Sequence, residues 1–70
     1  MMLGEFFRDN LVMLKLKNDQ VVLGKITEEE DEKIVLSNPK ILLDNGMIIF
    51  SKRAIIMKRE IVNAGGYLRR

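Results

Sequence analysis

The chain contains no cysteine and no histidine. Without cysteine there is no disulfide to staple the fold, and no thiol to act as nucleophile or metal ligand. Without histidine, zinc sites of the usual kind and imidazole acid–base chemistry are excluded by inventory. Proline occurs once, at Pro39. No stretch approaches the ~18–20 apolar residues of a membrane-spanning helix. The opening Met1-Met2-Leu3-Gly4-Glu5 lacks a basic region followed by an apolar one, so no secretory signal is expected. The expectation is a cytoplasmic protein with no membrane association and no cofactor.

At 70 residues the chain makes one domain, residues 1–70. A core of this size rarely supplies more than roughly 3–5 kcal/mol, and with no disulfide or metal the usual remedy is oligomerisation. Charge is unevenly spread. Residues 1–50 carry six basic and nine acidic side chains, whereas residues 51–70 carry six basic ones against Glu60 alone. A net charge of +2 therefore conceals a basic final third, as expected of a nucleic-acid or membrane-surface binder.

What is present reads mainly as strand. Leu3, Phe6, Phe7 and Asn10 fall at helical spacing, predicting a short helix over residues 3–10 whose Phe6 and Phe7 dock on a core. From Leu11 the period becomes two: Val12, Leu14 and Leu16 face one way, Met13, Lys15 and Lys17 the other. Asn18-Asp19-Gln20 turns the chain into a second strand from Val21 to Ile26. Gly24, inside that strand, marks a sharp bend or a close backbone approach. The acidic run at residues 28–32 reads as a solvated loop that repels phosphate; a paired-carboxylate or Mg²⁺ site is the sharper alternative. A third strand starts at Lys33, with Pro39 marking an edge, bulge or bend, and Asp44-Asn45-Gly46 is a hairpin turn.

Two short apolar runs follow, Met47-Ile48-Ile49-Phe50 and Ala54-Ile55-Ile56-Met57, split by Ser51-Lys52-Arg53. Both read as buried strands meeting at a tight bend, the second extending to Val62. That bend holds Lys52 and Arg53 on a rigid element, which suits anion recognition; the plainer role is to keep a surface turn soluble. Asn63-Ala64-Gly65-Gly66 ends regular structure, leaving residues 63–70 as a flexible basic tail. The inventory is a short helix and then five antiparallel strands over residues 11–62, favouring a small, strongly bent barrel of the SH3-like or OB-like kind.

This pattern resembles the Sm-like fold over roughly residues 3–62. The residues from Leu14 through Gly24 to Ile26 resemble the first part of the Sm signature, with its glycine in place. Ser51-Lys52-Arg53-Ala54-Ile55 is similar to the Tyr-Lys-His-Ala-Ile of Hfq, where typical Sm proteins carry Arg-Gly followed by Asp or Asn. The resemblance implies a homo-oligomeric ring of six or seven subunits, the fourth strand of one pairing with the fifth of the next. It implies that Ser51, Lys52 and Arg53 line a central pore, and that Glu32 and Lys33 stand where Hfq-type proteins carry a base-stacking aromatic and a polar residue. Lys33 can still hold a phosphate or cover a base with its stem. Arg53 in place of the family's histidine keeps a donor and makes the charge permanent. Ser51 in place of tyrosine gives up some packing between subunits.

Three functions are compatible with these residues to different degrees. A non-catalytic ring binding single-stranded RNA, as chaperone or scaffold, accounts for Lys52, Arg53 and the basic last third. A protein-interaction or assembly module of the same fold that does not bind RNA is the alternative. An enzyme is disfavoured, since Ser37 and Ser51 have no histidine to activate them. The tail Tyr67-Leu68-Arg69-Arg70 is too small to anchor the chain to a membrane.

Overall fold

The computed structural model describes Leu3, Phe7 and residues 11–67. Six strands appear: β1 (Leu11–Leu16), β2 (Val21–Glu29), β3 (Lys33–Leu42), β4 (Ile48–Phe50), β5 (Arg53–Met57) and β6 (Ile61–Tyr67). A 3₁₀ turn, Lys58–Glu60, separates the last two. The sheet is antiparallel in the order β4-β3-β2-β1-β6, with β5 also pairing β3. The helix expected over residues 3–10 is not borne out as an element. Most of it lies outside the described residues, and what is described is one turn, in which the Phe7 N–H donates to the Leu3 carbonyl at 2.9 Å. No helix among the described residues is long and apolar enough to cross a membrane.

The period-two pattern of β1 is realised: Val12, Leu14 and Leu16 are buried while Met13 and Lys15 face solvent. They meet Val22, Ile34, Leu36 and Ile56 in one core, onto which Leu3 also packs. Full burial of each such aliphatic side chain contributes about 1.5–3 kcal/mol. Both predicted turns form through side-chain hydrogen bonds of the Asx kind. Asn18 Oδ1 accepts from the Gln20 N–H at 3.0 Å, with Asp19 at φ 66°. Asn45 Oδ1 accepts from the Met47 N–H at 3.0 Å, with Gly46 at φ 90°.

The bend predicted at Gly24 continues from β2 through β3 to the strand beyond it. A Cβ on Gly24 would stand 3.3 Å from Leu36 Cβ and 3.3 Å from Pro39 Cα, so β2 and β3 touch backbone to backbone there. The register slips between Leu23 and Lys25, and β3 bends at Asn38, whose φ is 47°, beside the buried Pro39. The next strand breaks in line with these bends, at Ser51 and Lys52, dividing it into β4 and β5. β4 pairs the second half of β3 and β5 the first half. The two apolar runs therefore do not pair with each other; both lie against β3.

Three expectations are corrected. The runs of residues 47–57 are not buried: Met47, Ile48, Ile49, Phe50 and Ile55 are exposed, and only Ile56 joins the core. They form a sheet edge, where one strand has no neighbour to cover it. Among the described residues there are six strands and not five, because the strand expected to reach Val62 is interrupted at Lys58–Glu60. Here the chain leaves β3 and crosses to β1, and three polar residues can make that passage outside the core. Finally, residues 63–67 are not a tail but the body of β6, paired with β1 from Leu11↔Tyr67 to Leu16↔Ile61. The Phe7 ring lies against β6 at Gly66, where a Cβ would make ordinary contact at 3.5 Å with two ring carbons. Residues 68–70 of the expected tail lie outside the described set. Among the described residues no ladder joins β4 or β5 to β6, so the bent sheet keeps two unpaired edges.

Candidate nucleic-acid interface

The Ser51-Lys52-Arg53 break is held by backbone bonds to the bend in β3. The Asn38 N–H donates to the Lys52 carbonyl at 2.9 Å, and the Ser51 N–H to the Pro39 carbonyl at 3.2 Å. The Ser51 hydroxyl donates to the Arg53 carbonyl at 3.0 Å and accepts from the Arg53 N–H at 3.4 Å. Ser51 thus shapes the bend and presents its neighbours. The Lys52 and Arg53 side chains are exposed on it. Register adds a third cation: Ser37 pairs with Arg53 on one side and Lys25 on the other, so Lys25, Ser37 and Arg53 form a row.

Arg53 is not free. Its guanidinium donates to Glu28 Oε2 at 3.4 Å, with both side chains more than 60% exposed. An exposed pair of this kind is worth little, about 0–1 kcal/mol, and yields readily to a competing anion. The acidic run is therefore not simply a distant solvated loop. Glu28 lies near the end of β2 beside the candidate site, and Glu29, the last residue of β2, packs inward.

Glu32 and Lys33 lie apart from Ser51, Lys52 and Arg53. Lys33 pairs with Met57 while Arg53 pairs with Ser37. Four residues of β3 separate the two places, roughly 13 Å at ~3.3 Å per residue. What the fold brings to Glu32 and Lys33 is the 3₁₀ turn, which the sequence reading had placed within a strand. The Lys58 N–H donates to the Glu32 carbonyl at 2.8 Å. Lys58 Nζ lies 2.7 Å from Glu29 Oε2, Lys33 Nζ 3.8 Å from Glu30 Oε2, and Arg59 Nε 3.9 Å from Glu60 Oε2. Lys33, Lys58 and Arg59 thus face Glu29, Glu30, Asp31, Glu32 and Glu60, and the local field is negative. This end of the sheet opposes phosphate, whereas the bend at Lys52 attracts it. Among the described residues no cluster of carboxylates is arranged to hold a metal ion.

The Glu29–Lys58 pair is structural. Its side chains are only 8% and 18% exposed, and the Glu29 carboxylate also accepts from the Leu3 N–H at 2.8 Å. Glu29→Ala removes both interactions and leaves Lys58 in a largely dry site. The expected cost is about 1–3 kcal/mol, read as a lowered urea midpoint. An unchanged midpoint would show that the pair contributes nothing.

One residue was missed altogether. Phe50 was counted as core, yet it is 72% exposed, with Lys40 Nζ 5.9 Å from its ring centroid. The signal lay in the Asp44-Asn45-Gly46 turn, whose hairpin register sets Phe50 opposite Lys40.

The fold is similar to that of several solved structures. A heptameric archaeal Sm protein, considered for its implications for the eukaryotic snRNP core, superposes with a TM-score of 0.78 at 11% identity, covering 91% of this chain and 94% of that one. The SmAP1 heptamer of P. aerophilum gives 0.79 at 14% identity, covering 99% and 97%. A chain of the NatC complex bound to CoA gives 0.74 at 11% identity, covering 91% and 83%. No protein-family model and no curated protein sequence matches the chain. At these identities the likeness is one of fold, and the fold is Sm-like.

Proposed function

We propose that this chain forms a homo-oligomeric ring that binds single-stranded RNA without catalysing a reaction, as a chaperone or scaffold in the cytoplasm. The observation that carries the reading is the pair of unpaired sheet edges on an Sm-like fold. One edge, β4 with β5, exposes Ile48, Ile49 and Ile55; the other, β6, exposes Val62. Such edges are a liability in a monomer, and pairing β4 of one protomer with β6 of the next removes both at once. Two of the fold neighbours are heptamers, which supports a ring, and the resemblance to Hfq keeps six subunits beside seven. Each subunit then presents Ser51, Lys52 and Arg53 around a small circle, turning weak phosphate contacts into useful affinity. Glu32 and Lys33 contribute less, because their surroundings are acidic. The likeness of Ser51-Lys52-Arg53-Ala54-Ile55 to the Hfq string supports a pore lined by this bend.

A second reading is an assembly module that binds protein in place of RNA. It is favoured by the fold neighbour within the NatC complex.

Native mass spectrometry of the protein alone and with a short U-rich or A-rich oligoribonucleotide separates the two. A closed ring of six or seven copies carrying one oligonucleotide is the expected result. A ring that takes up neither oligonucleotide favours the assembly module, and a monomer at micromolar concentration overturns the ring.

A further inference from the structure

The convex face of the sheet, beyond the bend, carries two in-register rows of outward side chains. One runs Met13, Leu23, Lys40, Phe50 across β1, β2, β3 and β4. The next runs Lys15, Val21, Leu42, Ile48 across the same strands. These positions alternate with the buried Leu14, Val22 and half-buried Ile41, so they point away from the core. Met13, Leu42, Ile48 and Phe50 are each more than 40% exposed, and Phe50, at 72%, is the most exposed large apolar residue described. The rows include two lysines and no carboxylate. That contrasts with the acidic surroundings of Lys33 and Lys58.

We propose that Phe50 is a base-stacking platform, with Lys40 and Lys52 holding the phosphates on either side of the stacked nucleotide. The proposal rests on the RNA-binding reading above and adds to it a site on the outer face of β4. A single-stranded nucleic acid is the occupant that fits. An exposed aromatic ring offers a π-face that any base can use, and cations beside it take the backbone charge. Lys40 already lies at 5.9 Å from the ring centroid. Lys40 lies over the ring, so a base stacked on Phe50 would have positive charge close by. Phe50 is one residue from Ser51, so a strand leaving the Lys52 and Arg53 bend reaches the ring within one or two nucleotides. A second copy of this same face is a poor occupant, because it would bring Lys15 and Lys40 against their own kind.

The chain has no tryptophan, so Phe50→Trp places a lone reporter at the site. The probes are an oligoribonucleotide and a ribose-phosphate chain of equal length without bases, titrated onto the assembled protein. The oligoribonucleotide is expected to quench the Trp emission, and the abasic chain to bind without quenching it. Phe50→Leu, which keeps apolar bulk but no π-face, is expected to weaken the oligoribonucleotide roughly five- to hundred-fold per stacked base while leaving the abasic chain unchanged. Saturating oligoribonucleotide without quenching, or Phe50→Leu binding like the parent, overturns the platform and leaves the RNA-binding reading standing. If Phe50→Leu loses the ring in native mass spectrometry and weakens both probes alike, Phe50 is an assembly residue and the proposal fails. If the parent binds neither probe, both readings fail together.

Discussion

Gly24→Val is expected to lower the stability of the protein by about 1–3 kcal/mol, a large share of what a core of this size supplies. The Cβ alone would stand 3.3 Å from Leu36 Cβ, 3.3 Å from Pro39 Cα and 3.4 Å from Pro39 Cβ. Alanine asks these neighbours to yield by a few tenths of an ångström, which costs about 1 kcal/mol. Valine adds two methyl groups to a contact that is partly backbone, and overpacking of this kind typically costs about 1–3 kcal/mol or more. Pro39 has little freedom to retreat, since its carbonyl holds the Ser51 N–H and Asn38 beside it holds Lys52. Removing a glycine also stabilises by restricting the unfolded chain, by about 0.4–1 kcal/mol. The steric cost is larger, and against a core worth roughly 3–5 kcal/mol it shows as a clearly lowered midpoint. Urea titration at fixed protein concentration checks this. A midpoint for Gly24→Val at or above that of the parent would mean that the strands do not cross closely at this point.

Lys52→Ala with Arg53→Ala is expected to weaken single-stranded RNA binding more than ten-fold at near-physiological salt while the ring persists. Each phosphate contact to a single strand contributes about 0.7 to the slope of log affinity against log salt, so losing two per engaged subunit flattens that slope by about 1.4. A merely solubilising role for these side chains would leave the slope unchanged. The Glu28 pair adds a result of opposite sign. Glu28 Oε2 lies 3.4 Å from the Arg53 guanidinium and competes with phosphate for it. Glu28→Gln is therefore expected to tighten RNA binding by a few-fold. Fluorescence anisotropy across a salt series measures all of these. Unchanged affinity in the double variant would remove Lys52 and Arg53 from the site.

The local chemistry was legible from the residues. Period-two alternation in residues 11–16 set the core face of β1, and Asn18 and Asn45 marked turns that form through their own side chains. Gly24 announced a close crossing because only a residue without a Cβ tolerates one. The strand break at Ser51-Lys52-Arg53 was equally visible, as a polar interruption between two apolar runs.

What the tertiary structure decided is what depends on contacts distant in sequence. An apolar run reads the same whether it faces a core or waits at an edge, so the pattern around Phe50 points to an interior that the fold does not provide. Their exposure follows from β4 having only β3 beside it. Gly65 and Gly66 look locally like an ending, yet β1 pairs with them, and a ladder with a preceding strand overrides weak strand propensity. The same holds for charge. The basic final third could be counted from composition, but the fold sets Lys58 and Arg59 among carboxylates and lines Arg53 up with Lys25. Residue types and their periods determined the strands, the turns and the place of the bend. Which strands became edges, and which cations stand clear of acids, was determined only when β3 and β1 chose their partners.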